Sequence, residues 1–432
     1  MRILVVGGGG REHALLQAVR RDLPHADLWC APGNAGTAEL ATNLPVGADQ
    51  LDQLAALAEE KRIDLVIIGP EAPLAEGLAD RLRARKIAVF GPSGAAAQIE
   101  ASKAWAKDVM TAAGVPTAAS MTFAELPGAF KYIDAHPEPL VVKASGLAAG
   151  KGAVVCATRA EARDAARQML GDGLFGEAGQ VVVIESFLEG EELSLMALTN
   201  GRDIRMLPGA QDHKRLLEGD RGPNTGGMGA YSPVSLETPA LLEKIRRRVL
   251  EPTLEEMARR GAAFSGVLYA GLMIDRGGDP WVVEFNCRFG DPETQVILPR
   301  VTGGLVAALH AAAVGEPIPP VTVSPDSAVT TVLAAKGYPD QPERGAVIAV
   351  PPVLPAGAVV FHAGTRRDDS GRLVVNGGRV LAVTGIAPTF ADAQRVSRDT
   401  AEQITFDGRQ HRRDIGWREA ARLAQPSTLE TP

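Results

Sequence analysis

The chain has 432 residues, 45% of them hydrophobic and 22% charged, the proportions of a globular protein with a sizeable core. Lysine and arginine number 45 against 52 aspartates and glutamates, so nucleic acid and anionic membranes have no whole-molecule electrostatic attraction here, and any anionic ligand must be met by local cations. Cys30, Cys156 and Cys287 are odd in number and too far apart for a zinc knuckle, which argues against a disulfide framework and for a reducing cytoplasm, and no apolar run approaches the roughly 18 residues of a membrane span.

Roughly 100 to 200 residues per domain predicts two to four domains. From Arg2 to about Phe90, short β-branched runs alternate with amphipathic stretches: Ile3 to Val6, Glu12 to Arg20, Asp64 to Ile68, Leu74 to Arg85, Ala88 to Phe90. Such alternation predicts a parallel sheet with a ligand edge at the carboxyl ends of its strands, where Gly7, Gly69-Pro70 and Gly91-Pro92 fall. A single helix is expected from Ser93 to about Thr111, carrying Lys103 and Lys107 one turn apart. Pro139 to Thr158 reads as strand, glycine-rich loop and strand, followed by a helix over Glu161 to Leu170 and a strand over Val181 to Glu185. Further strands are expected at Leu193 to Leu198 and Ile204 to Leu207, then a long loop without secondary structure from Gln211 to Ser232. After a helix over Pro239 to Arg260, Ser265 to Asp275 and Pro280 to Phe285 form a hairpin. Pro317 to Pro325 reads as a linker, Ala328 to Thr384 as short strands, and a last helix runs from about Ala391 to Ile404.

The glycines at positions 7–10 follow the first strand and open a helix, where backbone amides and the helix dipole favour a phosphate. A dinucleotide reading is weak, since the last glycine of G-x-G-x-x-G falls on Glu12 or His13; Arg11 favours a mononucleotide-type phosphate, and a bare structural turn is the alternative. Asn34-Ala35-Gly36-Thr37 adds small residues and amides to that edge. Lys143 lies in an apolar strand, where an unpaired charge is costly, and Gly146 to Gly152 is a hairpin that could fold over phosphates. Glu185-Ser186-Phe187-Leu188, with Glu191 and Glu192, offers an apolar slot and carboxylates for a base and its ribose. Asp212 could take an ammonium group and Lys214 an anion, beside the amide-rich turn Asn224-Thr225-Gly226-Gly227-Met228. The most specific signal is Glu284-Phe285-Asn286-Cys287-Arg288. Period-2 alternation puts Glu284 and Asn286 on one strand face as hard oxygen ligands for magnesium, with Arg288 continuing that face as a cation.

These segments, together with Gly69 to Leu74, Phe361 to Thr365, Asn376 to Leu381 and Asp414 to Gly416, resemble the phosphoribosylamine-glycine ligase family of the ATP-grasp superfamily over essentially the whole chain. The resemblance implies a multidomain α/β and α+β protein: a Rossmann-like parallel-sheet domain over 1–102, an ATP-grasp region over 103–324 with a lid at about 118–192, and a β-rich domain over 325–432. It implies a monomeric, cytoplasmic enzyme of purine biosynthesis that joins glycine to 5-phosphoribosylamine through a glycyl phosphate, using ATP and Mg2+, with Mn2+ as an alternative, and meeting neither nucleic acid nor membrane. Lys107, Lys143, Gly150, Lys151 and Gly152 would hold the ATP phosphates, Glu185, Phe187 and Leu188 the adenine, and Glu192 or Glu191 the ribose. Glu284 and Asn286 would hold the metal. Arg288, Lys214 and Asp212 would serve catalysis, with Asn224 to Met228 shaping the glycine and amine pocket. Gly8, Gly9, Gly10, Arg11, Asn34, Ala35, Gly36, Thr37, Pro70 and Glu71 would receive phosphoribosylamine. Two departures stand out: Leu272 falls where a second acidic metal ligand is expected, and Ser145 replaces a common Asp. Another ATP-grasp carboxylate-amine ligase, or a non-catalytic nucleotide-binding regulator, are the competing readings.

Overall fold

The computed structural model describes residues 1–148 and 151–424. Five parallel strands open the chain, in the spatial order Thr42–Asn43, Asp27–Pro32, Arg2–Gly7, Leu65–Ile68, Ala88–Phe90. Strands buried on both faces read as unbroken apolar runs, and side-chain alternation sends Leu4 and Val6 to one core with Leu54 and Leu78, and Ile3 and Val5 to another with Leu15 and Leu309. The helix expected from Leu74 to Arg85 is two, Glu71–Ala75 and Leu78–Ala84, because Gly77 takes φ 83° between them. The helix expected from Ser93 is likewise two, Gly94–Ala101 and Lys103–Ala112, parted at Ser102, whose hydroxyl accepts the Trp105 amide as an N-cap.

A four-stranded sheet ordered Ser120–Phe123, Val182–Ser186, Leu140–Ala144, Ala153–Cys156 carries the helices Leu126–Ala135 and Arg159–Ala166 on one face. Its small core, including Ile133, Leu140, Val142, Ala162 and Ile184, is separate from the others. Beside it runs the antiparallel sheet Ile204–Met206, Glu191–Thr199, Gly266–Ile274, Pro280–Asn286.

The stretch from Gln211 to Ser232 is not the structureless loop its composition predicts. Arg215–Leu217 pairs with Arg221–Asn224 as a hairpin, and Gln211–Asp212, at the edge, and Gly229–Ser232 beside it belong to a five-stranded sheet completed by Ser327–Ala334, Arg379–Ala387 and Ala358–His362. A polar loop in the middle of the chain is therefore built into the C-terminal sheet. The expected linker also carries a short strand, Thr322–Val323, paired with Val301–Gly303. The helix Phe390–Gln403 covers the C-terminal sheet, and a further helix, Trp417–Leu423, follows it. No helix among the described residues is long and apolar enough to cross a membrane.

Arg412, 1% exposed, fastens the hairpin to the C-terminal segment. Its guanidinium grips Asp414 through two bonds of 2.8 Å, Asp220 at 2.9 Å and the Arg215 carbonyl at 3.1 Å. Removing one partner of a buried ion pair strands the other. Arg412→Ala is expected to lower the unfolding free energy by about 2 kcal/mol in urea titrations, less than the full cost of a stranded charge because both carboxylates keep some contact with water.

Candidate active site

Two lysines from different elements converge on one buried carboxylate. Lys107 Nζ lies 3.1 Å from Glu185 Oε1 and Lys143 Nζ 2.8 Å from Oε2, with each of the three residues 5% exposed or less. Lys107 also donates to Thr117 Oγ1 at 2.7 Å and Lys143 to the Val283 carbonyl at 3.0 Å. Burial pulls the Lys107 ammonium below its ordinary value while Glu185 opposes that shift. Lys103, to which the sequence assigns no role, stands one turn away. It donates to the Gly146 carbonyl at 3.2 Å, at the base of the glycine-rich hairpin, and burial lowers its pKa against the pull of Glu284. Ser145 caps that helix: its hydroxyl accepts the Ala104 amide at 3.1 Å and its carbonyl the Lys103 amide at 2.8 Å. Gly150 lies outside the described residues. Gly152 accepts the Ala144 amide at 2.7 Å, and Lys151 reaches the Pro339 carbonyl at 2.8 Å and so stands apart from the buried lysines.

Phe187 and Leu188, with Ser186 and Trp281, line a cavity of about 420 Å³ beside the Glu185 strand. A larger cavity of about 1050 Å³ opens at the opposite edge of the N-terminal sheet, against Met1, Asp64 and Ala88 at the strand starts. Open α/β sheets bind ligands at the carboxyl ends of their strands, and the buried polar atoms without partners lie elsewhere, so chemistry is assigned to the first region.

Glu284 and Asn286 share a face of the strand Pro280–Asn286. Lys214, Lys143, Lys103 and Arg288 together overcome burial and hold the Glu284 carboxyl below its ordinary value, so an anionic oxygen stands among cations. Opposite Glu284 in the neighbouring strand is Gly271, and the ladder slips between Gly271 and Leu272, so Leu272 does not face the metal pair and is packed in the core. Asp275 closes the hairpin: it accepts the amides of Gly277 and Asp279 and the Trp281 indole N–H. Among the described residues no cluster of three or more His, Cys, Asp or Glu side chains has metal-binding geometry. The two protein oxygens suit a magnesium-type ion that takes its remaining ligands from phosphates and water.

Arg288 is held by carboxylates from two other elements, with Nε 3.3 Å from Glu71 Oε2 and Nη2 3.0 Å from Glu100 Oε1, while Nη2 also donates to Asn286 Oδ1 at 3.1 Å. Glu100, missed in the sequence, is 8% exposed and accepts the Cys287 amide at 2.8 Å. Burial pushes its carboxyl up against the pull of Arg288.

The Asp212 side chain is buried, and its Oδ1 has no hydrogen-bond partner, 4.0 Å from Lys214 Nζ. Burial outweighs that lysine and pushes the carboxyl up to about 8. Lys214 pairs with Glu192 Oε2 at 2.8 Å, and Glu191 pairs with Arg422 of the last helix. Glu293, also missed, accepts the hydroxyls of Tyr269 at 2.9 Å and Ser194 at 3.1 Å. The turn from Asn224 to Met228 folds back through Thr225 N to the Lys214 carbonyl at 2.7 Å and Met228 N to the His213 carbonyl at 2.8 Å. Arg379 fixes the Gly226 carbonyl from the C-terminal sheet, and the Tyr338 hydroxyl accepts the Gly226 amide at 2.9 Å. Neither residue had been singled out.

At the N-terminal sheet edge, side chains close much of what the sequence left open. Asn34 Oδ1 accepts the amides of Gly36 and Thr37 at 2.8 and 2.9 Å, so those amides are not free for a phosphate. Asn34 Nδ2 donates to the Gly8 and His362 carbonyls, and Ala35 N to the Thr365 carbonyl. Arg11 is engaged with Glu12 at 2.6 Å and the Phe289 carbonyl at 3.2 Å, and Glu12 in turn accepts the Gly9 amide at 2.6 Å. Pro70 precedes the helix that begins at Glu71. His13 accepts the His362 amide, and burial drops its pKa to about 3, so it stays neutral.

Family models of phosphoribosylglycinamide synthetase match the chain as an N domain over residues 1–100, an ATP-grasp (A) domain over 101–294 and a C domain over 328–418. A phosphoribosylamine–glycine ligase of Xanthomonas axonopodis pv. citri is 46% identical over 428 residues, 98% of this chain and 99% of that protein. One from a Nostoc species is 47% identical over 424 residues, 97% and 99% of the two chains. The crystal structure of the Thermotoga maritima phosphoribosylamine–glycine ligase superposes with a TM-score of 0.85 at 38% identity, covering 96% of this chain and all of that one. The biotin carboxylase domain of a Hydrogenobacter thermophilus 2-oxoglutarate carboxylase shares the fold at a TM-score of 0.72 and 18% identity, over 95% of this chain and 91% of that one. The chain belongs to the phosphoribosylglycinamide synthetase family.

Proposed function

We propose that this protein ligates glycine to 5-phosphoribosylamine, forming glycinamide ribonucleotide, ADP and phosphate in purine biosynthesis. The observation that carries the reading is the placing of Glu284 and Asn286 on one strand face, with Lys214, Lys143, Lys103 and Arg288 near enough to favour the ionised carboxylate. That is a setting for a metal-bound polyphosphate meeting a second anion. A carboxylate oxygen of glycine attacks the γ-phosphorus and ADP leaves; the amine of phosphoribosylamine then attacks the glycyl carbonyl and phosphate leaves. Neither step needs an enzyme nucleophile, so the protein supplies position and charge.

On this reading Lys107 and Lys143 release Glu185 in part to meet the ATP phosphates, with Lys103 beside them and Gly150, Lys151 and Gly152 as further phosphate contacts. Glu185, Phe187 and Leu188 take the adenine, and Glu192, with Glu191 next to it, the ribose. Glu284 and Asn286 would hold a divalent cation, magnesium before manganese, which when bound neutralises charge on the transferring phosphoryl group. Arg288 and Lys214 steady the glycine carboxyl and acyl phosphate. The free Asp212 Oδ1 takes the glycine ammonium, the donor it lacks. Gly8 to Arg11, Asn34 to Thr37, Pro70 and Glu71 bound the phosphoribosylamine site. The chain divides at 1–102, 103–324 and 325–432, and a single cytoplasmic copy carries every assigned residue.

The direct test is ADP release with MgATP, glycine and phosphoribosylamine generated in the cuvette, with mass detection of the product. ADP and glycinamide ribonucleotide formed only when all three are present is the expected result; turnover with other acids or amines instead would overturn the substrate assignment. Glu284→Gln is expected to cut turnover on the order of 100-fold without loss of fold. Asp212→Asn is expected to raise the KM for glycine about tenfold or more, since a bound ammonium favours the ionised carboxylate and the amide cannot supply that charge. It should also change stability in a defined direction. Between the ordinary carboxylate range and about 8 the native Asp212 keeps a proton that the unfolded chain has released, so this group costs more stability as pH rises. The Asn variant escapes that cost, and its melting temperature, measured without ligand, should exceed the parent's by a margin that grows from pH 5 to pH 8.

A further inference from the structure

Gln295 is 1% exposed and stands where the three parts of the chain meet. Its Nε2 donates to Asp291 Oδ1 at 2.7 Å, which fixes the amide orientation, since only the nitrogen can donate to a carboxylate. That leaves Oε1 buried with no partner. The group is also pinned in place: the Gln295 carbonyl accepts Thr384 Oγ1 at 3.0 Å from the C-terminal sheet. A Cβ on Gly10 would lie 2.6 Å from Gln295 Nε2 and 3.7 Å from the Ala363 side chain, so the N-terminal glycine turn approaches this amide as only glycine can. Arg379 Nη2 is 3.1 Å from Asp291 Oδ2, so that carboxylate is already engaged by Arg379 and by Gln295 Nε2. What remains on this amide is one neutral acceptor in need of a donor, and a buried acceptor left unmatched is unfavourable.

The ligase reading supplies the candidate donors. The phosphate of phosphoribosylamine offers acceptors near neutral pH, and its amine must stay free to attack the acyl carbon. The ring hydroxyls remain. We propose that Gln295 is a specificity-determining residue for the sugar, its Oε1 accepting a hydrogen bond from a ribose hydroxyl; this rests on the ligase reading above.

The test uses stable carbocyclic analogues of phosphoribosylamine, the parent compound and versions lacking either ring hydroxyl, with the full-length enzyme, MgATP and glycine. The intact protein should show a KM about tenfold or more higher for one of the two deoxy analogues. Gln295→Met should raise the KM for the parent by a similar factor, leave those for ATP and glycine within about twofold, and no longer distinguish that deoxy analogue from the parent. Equal use of all three analogues by the unaltered enzyme would overturn the proposal, even if the variant failed to fold, and would leave the acceptor to an ordered water. A variant that raises all three KM values together, or keeps the discrimination, would overturn it as well. Absence of turnover with the parent analogue and with phosphoribosylamine alike would instead overturn the ligase reading.

Discussion

The guanidinium of Arg288 joins what three stretches of sequence bring to the site. Glu71 comes from the end of the N-terminal sheet, Glu100 from the helix leading away from it, and Asn286 from the strand that carries the metal pair. A largely buried cation is tolerable only with such partners, and the two carboxylates hold its pKa up against desolvation. Asn286 Oδ1 has a second lone pair, so accepting from Arg288 leaves it able to ligate a metal. On the proposed reading the arginine would aim a metal ligand and keep its own charge beside the acyl phosphate.

The same logic runs through the rest of the interior. Glu185 holds Lys107 and Lys143, and Glu192 holds Lys214, so each of these cations has an internal partner. The polar atoms without partners are informative for the opposite reason. Asp212 Oδ1 and Gln295 Oε1 are buried without partners, and they are the atoms proposed above to take an ammonium and a hydroxyl of the substrates. The C-terminal sheet is part of this construction: it continues into the strand that follows the Asn224 to Met228 turn, and Arg379 and Arg412 clamp that turn and its hairpin.

What could be read from the sequence follows the range over which each signal acts. The strand faces of Glu284 and Asn286 follow from a period of two, and the parallel sheet from alternating apolar runs, both local properties. The strand Gly229–Ser232 was invisible because its partner in the C-terminal sheet lies about a hundred residues away, as in Gly229 beside Thr331. Glu100, Glu293, Arg379 and Arg412 were missed because each acts through a residue distant in sequence; nothing near Glu100 announces Arg288. Lys103 was legible, since Ser102 is a helix cap that sets it on the first turn facing Ser145. Asn34 misled in the other direction, as an asparagine side chain readily closes the amides that follow it.

The dependence on Arg288 is most directly tested with Arg288→Lys, measuring turnover, the KM for each substrate and the melting temperature. Lysine keeps the charge but cannot reach Glu71, Glu100 and Asn286 together. The account predicts a folded protein with turnover lowered about 100-fold or more and ATP affinity changed little; turnover within about threefold of the parent's would contradict it.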